Sequence, residues 1–268
     1  MSAGSAINRL LAPLGLALQR RGVAPRASGE QSIVRLPALG LTPRTVIDVG
    51  AAYGDWSALA GAAFPRARFV LVEPLAEFAP FLERRARELP GATVVAAAAG
   101  REAGRARLHV HADLVGTSLR AEPGIAETER EVDVRTIDEI VEADEAEGPY
   151  VIKLDVQGAE LDVLAGASTT LEHTELVQLE TLLFPFYEGG PELAHVVAFM
   201  RAAGFVVYDV VDLGYRPLDG ALAQVDLLFV PERSALRRER GYASAEQRRA
   251  ADTELEALFA RRRSELRR

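Results

Sequence analysis

Short β-branched runs alternate with helical segments along most of this chain, and that alternation limits the folds open to it. Thr45-Val46-Ile47-Asp48-Val49 precedes a helical stretch from Asp55 to Ala63. Arg68 to Glu73, stopped by Pro74, precedes another from Ala76 to Glu88, and Tyr150 to Val156 precedes a third from Gly158 to Leu164. Thr93 to Ala97 and Leu176 to Thr181 read as further strands, and Pro191 to Ala203, closed by Gly204, as a further helix. Strands that alternate with helices argue for a parallel sheet covered on both faces, an α/β three-layer sandwich. Phe205 to Leu213 and Gln224 to Val230, joined by a turn bearing Gly, Pro and Asp, read as a closing antiparallel hairpin at the sheet edge. Arg105 to Ala112 and Glu131 to Arg135 alternate like an inserted antiparallel pair. Thr136-Ile137-Asp138-Glu139 is a capping box that opens a helix.

Composition narrows the chemistry. At 268 residues the chain suits one large domain with appendages. Three segments are expected: an N-terminal helix and linker over 1–41, the α/β domain over 42–232, and a basic helical tail over 233–268. The tail holds eleven Arg against six acids, and its helical spacing at Leu255, Leu258, Phe259 and Leu266 suits a solvated, partly docked helix. With a net charge of -8, nonspecific nucleic-acid binding by the whole surface is not expected. There is no cysteine, which removes disulfides, zinc-thiolate sites and thiol nucleophiles and allows a cytoplasmic location. His109, His111, His173 and His195 lack the spacing of a histidine-rich metal site. No run approaches a membrane span. Leu10 to Leu18, broken by Pro13 and followed by Gln19-Arg20-Arg21, fits an amphipathic helix better than a signal peptide.

The chemistry concentrates at strand ends. Asp48-Val49-Gly50-Ala51-Ala52-Tyr53-Gly54 is a glycine loop between a strand and a helix, where glycines let backbone amides approach a ligand. Its spacing is not that of the dinucleotide fingerprint. The acid before Gly50 would repel a pyrophosphate and suits a ligand carrying an ammonium or hydroxyls. Glu73 closes the second strand, where a carboxylate can grip ribose hydroxyls. These features argue against a nicotinamide-dependent oxidoreductase, the first competing function. A noncatalytic binding module is the second.

The fourth core strand carries the only lysine in the chain, Lys153, amid arginines. Alternation places Val151, Lys153 and Asp155 on one face. A buried ammonium there needs a partner, and Asp155 on the same face is one candidate. Lys153 is then either an ion-pair strut or a catalytic group. Asp155 could accept a proton, orient a hydroxyl, or hold a divalent cation with Glu160 or Glu180. Glu160 could instead be a first-turn helix acid. Two loops are candidate walls for an acceptor: Leu182 to Gly190, which could equally be a cover over the core, and Asp113 to Thr128, with hydroxyls at Thr117 and Ser118.

Together Val46 to Trp56, Val72-Glu73-Pro74, Ile152 to Glu160, Ala165-Gly166-Ala167 and Gln224 to Val230 resemble a class I S-adenosylmethionine-dependent methyltransferase, and more narrowly the FkbM family. The resemblance covers roughly residues 42–232. It implies a Rossmann-like fold with S-adenosylmethionine as cofactor, and methylation of a hydroxyl on a sugar, glycan or natural product. On that similarity Asp48, Gly50, Ala51, Tyr53 and Gly54 belong to the loop around the methionine end of the cofactor. Glu73 would hold the ribose, and Ala97, in an alanine run, would lie by the adenine through backbone groups. In the resembled fold the first and fifth strands flank the fourth, which implies Asp48 and Glu180 as further candidate partners for Lys153.

Overall fold

The computed structural model describes residues 29–265. The helix expected before residue 29, and Leu266, lie outside them. The described residues divide into two units between Glu232 and Arg233.

The first unit is built on a seven-stranded sheet and a smaller three-stranded one. The strands are β1 (Thr45–Val49), β2 (Arg68–Val72), β3 (Thr93–Val95), β4 (Ala98–Ala99), β5 (Gly104–Val110), β6 (Thr128–Arg135), β7 (Tyr150–Leu154), β8 (Thr174–Leu182), β9 (Phe205–Tyr215) and β10 (Leu222–Pro231). The large sheet runs in the order β3-β2-β1-β7-β8-β10-β9. Pairings from β3 through β8 are parallel, and β10 is antiparallel to both β8 and β9. The fold is therefore a Rossmann-like α/β sandwich with an antiparallel C-terminal edge. Reversal of the winding direction between β1 and β7 creates the crevice at which ligands bind in open α/β sheets.

Helices α1 (Gly29–Ile33), α2 (Asp55–Ala63), α3 (Ala79–Glu88), α4 (Ile137–Ala143), α5 (Glu160–Ala165), α6 (Ser168–Glu172) and α7 (Leu193–Ala202) belong to the same unit. Thr136 caps α4 as its sequence requires: its side chain takes the Glu139 N–H, and the Glu139 side chain takes the Thr136 N–H. Every residue of β1 and β7 is buried, as expected of central parallel strands. On one face Ile47, Val49, Ile152, Leu154, Val177 and Leu179 join the main apolar core. The other face is mixed, because Asp48, Lys153 and Gln178 sit side by side across β1, β7 and β8.

The inserted pair of strands forms a sheet of its own. β5 and β6 are antiparallel, and the two-residue β4 joins β6 in parallel. β4 lies in an alanine run with little strand propensity, which hides it from sequence patterns.

The second unit contains α8 (Ala245–Glu265), on which Leu255, Leu258 and Phe259 are half-exposed. Among the described residues no helix is long and apolar enough to cross a membrane.

Candidate active site

β1 and β7 end side by side, and the site is built on that junction. The chain leaves β1 through Gly50, whose φ is 72°. A Cβ there would lie 1.9 Å from the Asp155 carbonyl oxygen, so both backbone conformation and space demand glycine. The Gly50 and Ala51 N–H groups donate to the Val72 carbonyl at 3.0 and 3.2 Å, and the Asp155 N–H donates to the Val49 carbonyl at 3.0 Å. These bonds pin the loop to both neighbouring strands. Gly54, at φ 73°, stands at the N-cap of α2.

Glu73 follows β2 and is buried. It accepts the N–H groups of Ala52 and Leu75, each at 3.0 Å. Burial raises its pKa above the usual carboxylate range, and these two N–H donors work against that rise. A carboxylate has about four acceptor sites, so room remains for hydroxyls of a ligand.

A pocket opens here. Its walls are largely apolar, with Phe78, Leu108, Leu119 and the alanines Ala97 to Ala99. Glu73, Asp155, Thr117 and Ser118 supply polar groups. Among the residues assigned from sequence, Gly50, Glu73, Ala97 and Asp155 line it, whereas Asp48, Ala51, Tyr53, Gly54, Lys153 and Glu160 are not part of the lining. Ala51 is buried in a cluster with Leu71 and Phe78. Tyr53 is exposed and meets the Phe78 and Phe81 rings edge-on, at centroid distances of 4.8 and 5.1 Å.

Behind the pocket, Lys153 reaches along the sheet face to the end of β1. Its Nζ lies 3.2 Å from Asp155 Oδ2, 3.6 Å from Asp48 Oδ1 and 3.5 Å from the Gly50 carbonyl oxygen. Burial alone would lower the Lys153 pKa, but Asp155 and Asp48 outweigh it and raise the pKa above its usual value. The ammonium therefore stays charged. Asp48 is fully buried and takes a 2.6 Å hydrogen bond from Ser57 Oγ on α2. Burial raises its pKa, and Lys153 opposes the rise.

Three further acids converge on this end of the sheet. Glu160 is buried in the first turn of α5 and accepts the Gly158 N–H at 3.0 Å. Burial pushes its pKa up to about 7. Glu180 accepts from Gln224 Nε2 at 2.6 Å and from Gln157 Nε2 at 3.3 Å. Burial, then the Asp155 and Asp226 carboxylates, raise its pKa. Asp226 accepts from Gln178 Nε2 at 2.7 Å, and burial lifts it to about 6. Trp56 Nε1 on α2 completes that branch by donating to Gln178 Oε1 at 3.2 Å.

Among the described residues, no group of three or more His, Asp or Glu side chains is arranged to hold a metal ion. The donors explain why. Asp155 already faces the Lys153 ammonium and Gln157, and Glu160 and Glu180 are held by amides. A divalent cation at Asp155 would be repelled by Lys153.

Both candidate loops are held near this end of the sheet. Tyr187 is buried with its ring against Gly158, so the Leu182 to Gly190 segment covers the turn after β7. Ser118 donates to the Gln157 carbonyl at 2.6 Å and anchors the other loop. Phe78, Leu108 and Leu119 are pocket residues that strand and helix patterns do not single out. For Leu108 and Leu119 the one sequence signal is the inserted pair with its 113–128 loop, whereas Phe78 lies in the stretch read as a helix from Ala76 to Glu88.

A comparison with curated protein sequences returned no match. Among solved structures, a methyltransferase FkbM from Methylobacillus flagellatus KT is 19% identical with a TM-score of 0.46, over 69% of this chain and 43% of that one. The chain thus spans less than half of that protein's length. A precorrin-6y C5,15-methyltransferase from Geobacter metallireducens GS-15 is 13% identical with a TM-score of 0.42, over 80% of this chain and 93% of that one. A 1,6-didemethyltoxoflavin-N1-methyltransferase from Burkholderia thailandensis is 13% identical with a TM-score of 0.40, over 86% and 91%. Residues 48–207 match the family described as the methyltransferase FkbM domain. That stretch is more than half of the chain and contains every residue that lines the pocket. The chain belongs to the FkbM methyltransferase family.

Proposed function

We propose that the protein transfers a methyl group from S-adenosylmethionine to a hydroxyl of a small-molecule or glycan acceptor, in the class of sugars and natural products. One observation carries this reading: a single pocket is lined by Glu73 after β2, with acceptor capacity to spare, and by Asp155 after β7, on the two strands that flank β1. The residues present suit the cofactor. Phe78, Leu108 and the alanines offer an apolar slot for a heteroaromatic base, and Glu73 can take ribose hydroxyls. When bound, the cofactor supplies an electrophilic methyl group on sulfur.

The remaining chemistry belongs to the chain. An attacking hydroxyl must be aligned and must lose its proton as the new bond forms. Asp155, partly exposed at the pocket, is the group proposed to orient that hydroxyl and accept the proton. Lys153 keeps Asp155 in place from behind the lining. Glu160 acts at one remove by fixing the Gly158 turn. Asp48 likewise serves as the buried counter-charge of Lys153 and as an anchor for α2.

Calorimetry with S-adenosylhomocysteine and with NAD tests the cofactor. Binding of the first and not the second is expected, and the reverse would overturn the reading. Radiolabelled methyl transfer over sugars and polyketide-like alcohols then separates an enzyme from a binding module.

A further inference from the structure

We propose that Gln157 is a positioning residue, holding the Asp155 carboxylate in register with the two loops that close over this end of the sheet. The inference rests on the methyltransferase reading for what Asp155 does, but the arrangement stands on its own geometry.

Gln157 has φ 53°, in the left-handed region that side chains other than glycine rarely adopt. Such conformations persist where surrounding contacts over-determine them, and they cluster at functional sites. Four hydrogen bonds hold Gln157 here. Gln157 Nε2 donates to Asp155 Oδ1 at 2.8 Å and to Glu180 Oε1 at 3.3 Å. Its Oε1 accepts from the Tyr187 hydroxyl at 2.9 Å, and its backbone carbonyl accepts from Ser118 Oγ at 2.6 Å.

The chemistry fixes the amide's orientation. Flipped, its oxygen would stand 2.8 Å from Asp155 Oδ1, acceptor against acceptor. Tyr187 must then donate, and its pKa, raised by burial and by nearby carboxylates, keeps it protonated. Ser118 lines the pocket, so one residue joins the pocket wall, the loop after β8 and both acids. Lys153 holds one oxygen of Asp155 and Gln157 the other, which leaves the carboxylate little freedom to rotate. Alignment of this kind is worth a large share of a methyl-transfer rate, since a 1 Å displacement can cost about 100-fold.

The lone lysine makes the idea directly testable. Labelling with ¹³Cε-lysine gives a single side-chain resonance whose ammonium lies 3.2 Å from Asp155 Oδ2. Spectra of the wild type, Gln157→Leu and Tyr187→Phe would be compared at matched pH, alongside thermal melts and S-adenosylhomocysteine titrations. We expect the Lys153 signal to shift in Gln157→Leu and to shift the same way, by less, in Tyr187→Phe, while affinity for S-adenosylhomocysteine stays within about threefold. A residue that only braces the turn would lower the melting temperature and leave the Lys153 signal in place, and that result overturns the inference. If Gln157→Leu does not fold, Tyr187→Phe decides alone, and an unmoved signal there overturns it equally. Failure of the wild type to bind S-adenosylhomocysteine would instead sink the functional reading, and the Lys153 signal would still decide the positioning.

Discussion

Replacing Lys153 with Met removes the one ammonium from a buried acidic strand end and keeps most of its volume. Asp48 is the residue that suffers. It is fully buried, its Oδ2 is bonded to Ser57, and its Oδ1 has Lys153 at 3.6 Å but no hydrogen bond. Removing one partner of a buried pair costs about 3–5 kcal/mol, because the remaining charge is left uncompensated. At about 2–4 °C per kcal/mol for a domain of this size, the melting temperature should drop by roughly 6–20 °C. Asp155 adds little to that figure, since its side chain is more than a third exposed. The loss should also depend on pH. Burial already raises the Asp48 pKa, and without Lys153 it rises further. The folded state then holds a proton that the unfolded state has released, so the deficit grows as pH rises from acid toward neutral. Circular-dichroism melts of the wild type, Lys153→Met, Asp48→Asn and the double variant from pH 5 to 8 measure this. The double variant should recover at least half of the loss at pH 8. A pH-independent deficit that Asp48→Asn does not relieve would refute the reasoning.

Glu160→Gln keeps an acceptor for the Gly158 N–H and removes a carboxylate whose pKa is pushed up to about 7. Because the folded pKa lies above the unfolded one, wild-type stability falls as pH rises from about 4.5 through 7, by about 3 kcal/mol. The urea midpoint of Glu160→Gln relative to the wild type should therefore be higher at pH 8 than at pH 5, and equal differences at both would count against it. Glu73→Ala removes the proposed ribose acceptor and should weaken S-adenosylhomocysteine binding about 10–100-fold by calorimetry. Above pH 10.5, Lys153 should hold its charge longer than a free lysine, so stability from its raised pKa is present below that point and lost as pH climbs past the folded value. The same ¹³Cε resonance reports that titration.

Much of the fold was legible because its signals are local. The β-branched runs Val46 to Val49 and Val151 to Leu154 mark central strands, and the Thr136 capping box marks the start of α4. Glu73 and Asp155 could be found from their places after strands, and both line the pocket. What was not legible depends on contacts across the sheet. Lys153 had three available partners, and only the side-by-side register of β1 and β7 selects Asp48 with Asp155, leaving Glu180 to Gln157 and Gln224. The left-handed backbone at Gln157 has no sequence signal, because glutamine is not a residue that demands it. Phe78 and Leu119 reach the pocket through tertiary packing, which no periodicity encodes.

The central claim is that this pocket transfers a methyl group and that Asp155 assists the acceptor hydroxyl. The most direct measurement is methyl transfer from radiolabelled S-adenosylmethionine to a panel of sugars and alcohols by the wild type and Asp155→Asn, with S-adenosylhomocysteine titrated into both. The account predicts label on an acceptor hydroxyl with the wild type, a loss of about 100-fold or more in Asp155→Asn, and cofactor-product affinity within about threefold in the variant. Full transfer by Asp155→Asn would contradict it.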